Sequence, residues 1–209
     1  MERSAVAACF GIIAVVTLVG NSLVVAVFVK KREWLDRVHT CLLLALAIQD
    51  ITTGVCLLVL PHFLLHSDIY KLPLDPTQRK LFCHLIWSQY IPFALSVVSI
   101  YTCLMLAIDR WLAVFRPIAY KSYHSSRKVI ATMLILPWLA GFGFELGTAL
   151  NVESVQRANE SHVCVLRQIH GSPENIVASV FLLLGKGFLP AILMVMAYVS
   201  MVTRLRKTS

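Results

Sequence analysis

Five long apolar runs decide what this chain can fold into. Ser4 to Val29 carries no formal charge over 26 residues, and Leu81 to Ile108 carries none over 28. Thr40 to Ser67 holds one charge, Asp50. Val129 to Leu150 holds Glu145, and Ile176 to Thr203 holds Lys186. A helix needs about 20 apolar residues to cross the hydrocarbon core of a bilayer. Inside that core every backbone polar group must be satisfied internally, so spans are helices or closed barrels. The alternation of barrel strands is absent. The runs therefore predict an all-α membrane protein with helices over about residues 4–30, 39–67, 81–110, 128–150 and 176–204. The first run is too long for a signal-peptide core. It follows Glu2-Arg3 and ends in Val-Lys-Lys, so it is expected to stay as an anchor. No repeat, low-complexity tract or linker divides residues 1–209, which are expected to form a single domain.

Composition removes the competing classes. Hydrophobic residues make up 58% of the chain and charged residues 14%, against about a quarter charged in soluble domains. A net charge of +8 does not imply nucleic acid, because the basic residues lie in short gaps between apolar runs and cover no face. Disorder is excluded by the lack of polar sequence. Six cysteines are too few for a disulfide scaffold. The gaps also predict orientation. Twelve basic residues fall at 30–37, 110–128 and 204–207, and seven fall on the other side. The larger group belongs in the cytoplasm. The N-terminus is then outside, the C-terminus inside, and the expected location is the plasma membrane as a multi-pass protein.

Chemistry-bearing motifs are sparse. No GxSxG, Walker loop or Ser/His/Asp arrangement is present, so an enzyme is not expected. His62 and His66 are four apart, on one helix face, without the rest of a metal site; no metal is expected. Cys9, Cys41, Cys56 and Cys103 fall in or beside spans and read as small apolar packing residues. Asn159-Glu160-Ser161 is a glycosylation sequon on the outer side.

Charges and amides inside a membrane are costly and usually functional, and here they fall in a recognisable order. The first span has Gly20-Asn21, and the second Leu46-Ala47 followed by Asp50. The third ends Asp109-Arg110-Trp111 and the fourth has Trp138. The fifth has Pro190 with Tyr198 eight residues on. Together these resemble the rhodopsin-like (class A) G-protein-coupled receptors, with Trp111 where tyrosine is usual. The resemblance runs along the whole chain. It implies a seven-helix bundle, a heterotrimeric G protein as partner, an extracellular ligand and no resident cofactor. The 209 residues stop just past the fifth helix, without the family's sixth and seventh. They are expected to be either part of an ordinary receptor or a truncated five-span product. The truncated product would not signal, would be retained in the endoplasmic reticulum, and would pair with a full-length receptor.

The resemblance also assigns roles. Asp109 holds Arg110 at rest and releases it to the G protein; the plain alternative is a pair of solvated interface charges. Tyr198 turns towards that arginine in the active state, or is an interfacial aromatic. Ile118 enters a pocket on the G protein, or dips into lipid headgroups. Asp50, Asn21 and Ser99 hold a sodium ion, or form a polar cluster that ties three helices. Cys83 and Cys164 form the family's disulfide. Cys83 to Arg110 is 27 residues, two longer than usual, so an irregularity is expected above Pro92. Amine receptors place an aspartate 18 residues before the arginine; here that residue is Pro92, which disfavours a cationic amine ligand. Trp87, Phe93, Ser96 and Val97 line the expected ligand cavity, or simply pack. Lys186 either holds a ligand anion or pairs with Glu145.

Overall fold

The computed structural model describes residues 2–61, 63–64, 70–123, 126–156, 162–167 and 173–208. His62, His66 and Asn159 lie outside them. The chain runs α1 (Glu2–Lys30), a short 3₁₀ turn (Arg32–Asp36), α2 (Val38–Val59) and α3 (Pro76–Leu81). A π turn (Phe82–Trp87) leads to α4 (Tyr90–Phe115), α5 (Pro117–Tyr123) and α6 (Arg127–Leu150). A hairpin follows, β1 (Val152–Gln156) and β2 (His162–Leu166). The chain then forms α7 (Pro173–Leu183), a second π turn (Leu184–Phe188) and α8 (Leu189–Thr208). Five helical stretches are long and apolar enough to cross a membrane: Ala5–Lys30, Val38–Val59, Tyr90–Phe115, Arg127–Leu150 and Val177–Lys207. The protein is an all-α membrane protein.

The helix α4 is the centre of the bundle. It packs against α2, α6 and α8, while α1 packs on α2. Half of its apolar stretch is buried inside protein, against 6% for the fifth span. Ala94, Leu95, Val98 and Ala107 supply its buried face. Val38 and Leu42 of α2 meet Met105 of α4, with Val129 and Met133 of α6 packed against them. The other helices turn apolar side chains outward because lipid is as apolar as the core.

Gly141 sets how closely α6 approaches α4. A Cβ built there would lie 2.6 Å from the Ala94 carbonyl oxygen and 2.9 Å from the Val98 nitrogen. Backbone cannot step aside as a side chain tip can. Gly141→Leu is expected to lower stability by about 1–3 kcal/mol, the range for overpacked cores. Gly143→Ala, on open space, is expected to be neutral or slightly stabilising. Thermal midpoints in detergent check the pair, and equal midpoints would remove the close-approach reading.

Two span ends and the interior of a third span depart from expectation beside a proline, and the third helix also runs on to Phe115 where 110 was expected. The second helix ends at Val59 and not at 67, because Leu60 is extended (φ −82°, ψ 151°) ahead of Pro61. The third span begins at Tyr90, not at 81. The irregularity expected above Pro92 is present there, at Gln89, the one non-glycine residue with positive φ (61°) among those described. Pro92 gives the reason: it cannot donate to the Ser88 carbonyl, and its ring would crowd that oxygen in a continuous helix. In the fifth span Pro190 likewise leaves the Lys186 carbonyl without its helical donor, and the turn widens to π over 184–188. The fourth helix matches expectation within a residue.

The hairpin was not anticipated. β1 and β2 pair antiparallel, with Ser154 opposite Cys164. Cys164 is bonded to Cys83, with Cα atoms 5.5 Å apart, so the hairpin is tied to the turn that precedes α4.

Candidate functional site

At the basic end of the bundle, α4 carries a compact ionic cluster. Asp109 is fully buried. Its Oδ2 accepts from Arg110 Nη2 at 2.5 Å and Nε at 3.0 Å. Tyr120 of α5 joins them: its hydroxyl accepts from Arg110 Nη2 at 3.1 Å and donates to Asp109 Oδ2 at 3.3 Å. Asp109 Oδ1 has no hydrogen-bond partner among the described residues. The Arg110 side chain remains 42% exposed. A buried anion thus holds a half-exposed cation, and Tyr120 fixes both. Tyr120 belongs to none of the motifs that mark the spans. Only the fold of 117–123 as a helix brings it to Asp109. Ile118, on the same helix, is 88% exposed. Tyr198 is exposed on α8, with no hydrogen bond to Arg110 among those described.

Mid-bundle, the expected polar cluster forms in part. Ser99 Oγ donates to Asp50 Oδ1 at 3.1 Å. Asn21 Nδ2 donates instead to Thr17 O, within its own helix, at 2.9 Å. The structure therefore joins α2 to α4 here but shows no Asn21–Asp50 bond. A second tie was missed: Thr102 Oγ1 donates to Gln49 Oε1 at 3.1 Å, with both residues buried. Gln49 stands next to Asp50, and only helix rotation reveals that it faces Thr102. A double-mutant cycle of Gln49→Leu and Thr102→Val is expected to give about 0.6–1.7 kcal/mol of coupling. Additive thermal shifts would mean that the tie contributes nothing.

At the disulfide end Lys186 lies in the π turn. Its Nζ is 2.8 Å from Glu145 Oε1, with side chains 25% and 7% exposed. Thr148 Oγ1 donates to Glu145 Oε2 at 2.7 Å. The pairing named as the alternative to a ligand anion is the one observed. Tyr101 Oη donates to the Gly185 carbonyl at 2.9 Å, inside the widened turn. The residues expected to share one cavity are spread out. Trp87 lines a cavity of ≈ 300 Å³ with Pro61, Tyr70 and Cys164. Pro92 is buried, Phe93 is 46% exposed, and Ser96 Oγ donates to the Pro92 carbonyl.

Residues 20–209 match the family described as 7 transmembrane receptor (rhodopsin family). The chain belongs to the rhodopsin family of seven-transmembrane receptors. Among similar proteins, the 5-hydroxytryptamine receptor 1A-alpha of Takifugu rubripes is 29% identical over 192 residues, 90% of this chain and 41% of that receptor. The muscarinic acetylcholine receptor M3 of Sus scrofa is 30% identical over 132 residues, 63% of this chain and 21% of that receptor. The M3 receptor of Gallus gallus is also 30% identical over 132 residues, 19% of its length. This rhodopsin-family chain thus spans about two fifths or less of the relatives it matches. The match covers four of the five membrane helices completely and the last third of α1. The Asp109–Arg110 pair and the Cys83–Cys164 disulfide both lie within it.

Proposed function

We propose that the protein carries a signal from an extracellular ligand to a heterotrimeric G protein across the plasma membrane. In this reading the N-terminus and hairpin are outside, and Arg110 faces the cytoplasm. The Asp109–Arg110–Tyr120 cluster carries the reading. A cation held 2.5 Å from a buried carboxylate is a switch whose release needs only the loss of that negative charge. The excess of basic residues on the same side supports the orientation. Ile118, 88% exposed beside Arg116 and Lys121, supports an apolar anchor for the partner.

The relatives' names include receptors for 5-hydroxytryptamine and acetylcholine. This chain has Pro92 at the place of the amine-pairing aspartate, and its nearby acid, Glu145, is already paired with Lys186. The reading is therefore a ligand other than a cationic amine. A sodium ion at Asp50 would find a carboxylate and the Ser99 hydroxyl. A hard cation wants about six oxygens, and Asn21 is turned to its own helix. The geometry supports Asp50–Ser99 as an interhelical tie.

The test is G-protein nucleotide exchange in membranes containing the full protein. Asp109→Asn is expected to raise ligand-independent exchange severalfold, and Arg110→Gln to abolish it. Exchange indifferent to both variants would sink the coupling role.

A further inference from the structure

The turn that carries the disulfide meets α4 at a single residue. Gln89 has φ 61° and ψ 23°, a left-handed conformation that glutamine rarely adopts and that its surroundings must hold. Its N–H donates to the Ile86 carbonyl at 3.2 Å and closes the π turn, while its carbonyl accepts from Phe93 N at 3.2 Å and opens α4. Asn151 is shared in the same way at the end of α6. Its N–H donates to the Gly147 carbonyl at 3.1 Å, inside that helix, and its carbonyl accepts from Arg167 N at 2.7 Å, just past β2.

Beyond these two residues lies one body. The disulfide joins Cys83 of the turn to Cys164 of β2, and both cysteines are buried with Val152 of β1. The helix α3 runs into the same turn without a break. This cap is fastened to the ends of α6 and α2. His84 Nδ1 lies 2.6 Å from the Ala149 carbonyl. Tyr70, its ring 6.5 Å from that of Phe82, donates its hydroxyl to the Val59 carbonyl. The helix α4 is fastened to α6 independently. Tyr90 Oη donates to the Phe142 carbonyl at 3.0 Å, seven residues before Ala149 and so about 10 Å away along the helix. Gly141 brings the two backbones together at the same level. Ser88 Oγ accepts from Tyr90 N at 3.1 Å and spans the joint. A hydroxyl can follow a turning joint, whereas a ladder of backbone bonds cannot.

We propose that Gln89 is a swivel that separates the cap from α4, so that the cap turns as one unit about Gln89 and Asn151 while α4 stays fixed on α6. Hinges are a few residues at element ends that absorb a change in φ and ψ, and both residues sit at such ends. The His84 contact with Ala149 is the latch. The consequence is directional. A contact made on the hairpin alone leaves α4 in place, and a ligand that moves α4 must touch it past Gln89. The inference rests on the fold and not on G-protein coupling, so each can fail without the other.

The test is distance measurement by pulsed electron spin resonance on the full protein in nanodiscs, with genetically encoded spin labels that leave the cysteines untouched. One pair reads the cap, from Val155 on β1 to Leu139 on α6, both exposed. The other reads α4, from Phe93, also exposed, to Leu139. His84→Ala is expected to shift or broaden the first distance by more than about 2 Å, the scale of a loop rearrangement, and to leave the second within error. Gln89→Ile, β-branched and ill suited to positive φ, should move the first distance in the same way and again spare the second. Gln89→Gly, which takes that conformation freely, should keep the mean distances of the parent protein. A Phe93 distance that follows the Val155 distance would overturn the swivel and make cap and α4 one body. So would a cap distance unmoved by His84→Ala or by Gln89→Ile, or moved as far by Gln89→Gly as by Gln89→Ile. Should Gln89→Ile fail to fold, His84→Ala decides alone, by whether Phe93 moves with Val155.

Discussion

Lys186→Met is expected to lower the stability of the bundle by about 3–5 kcal/mol, the cost of leaving one member of a buried ion pair without its partner. Glu145 is only 7% exposed at its side chain and 2.8 Å from Lys186 Nζ. Removing the ammonium leaves a carboxylate among α4, α6 and the fifth span with Thr148 as its remaining hydrogen-bond donor. Glu145→Gln in the same background is expected to recover most of the loss, because a neutral amide can keep the Thr148 bond without needing a cation. Thermal midpoints of the two single variants and the double variant check this. A double variant no more stable than Lys186→Met would mean that the pair is not coupled. The prediction bears on function too. Any ligand anion seeking Lys186 must first displace Glu145, so the pair raises the threshold for acidic ligands.

Cys83→Ser is expected to cost up to about 4.5 kcal/mol, from the loop-closure entropy of an 81-residue separation. That figure is an upper bound, since spans that stay inserted keep the reduced chain restrained. The loss should be local. Cys83, Val152 and Cys164 form one buried cluster, with Leu72, Phe82 and Trp87 around it. His84 Nδ1 lies 2.6 Å from the Ala149 carbonyl and ties the same turn to the end of α6. Hydrogen exchange should therefore show the amides of 152–156 and 162–166 losing protection while those of α4 keep theirs. Uniform loss along α4 would mean that the disulfide supports the whole bundle; unchanged hairpin amides would mean that strand pairing suffices without it.

Much of the fold was legible because hydropathy is local and additive along the chain. Five runs marked five spans, and the fourth was placed within a residue. The differences sit beside prolines: Pro61 holds the residue before it extended, while Pro92 and Pro190 each leave a carbonyl four residues earlier without its donor. Pro61, Pro92 and Pro190 were each visible, but the chain's response differs. It ends a helix at Leu60, takes positive φ at Gln89 and widens a turn at Lys186. The hairpin was hidden by its shortness: Val152–Gln156 and His162–Leu166 are five residues each. Of the candidate site, Asp109 and Arg110 were readable as neighbours in sequence. Their clamp by Tyr120 was not, because it spans a break between helices. Asn21 was grouped with Asp50 by resemblance, yet its amide found a nearer carbonyl one turn back, at Thr17.

The solvent, the number of spans and the class of receptor can be read from the order of residues. Those follow from run length, charge placement and short motifs, and each is a property of consecutive residues. Which polar groups meet depends on how the helices pack. Gln49 with Thr102, Trp111 with Ser200 and Lys186 with Glu145 are pairs from different helices. Their meeting depends on how far each helix is rotated and how closely Gly141 lets α6 approach α4. In an apolar solvent, burial of apolar surface does not select one rotation over another. Close packing and a few interhelical hydrogen bonds make that selection, and neither is written in the order of residues along one helix.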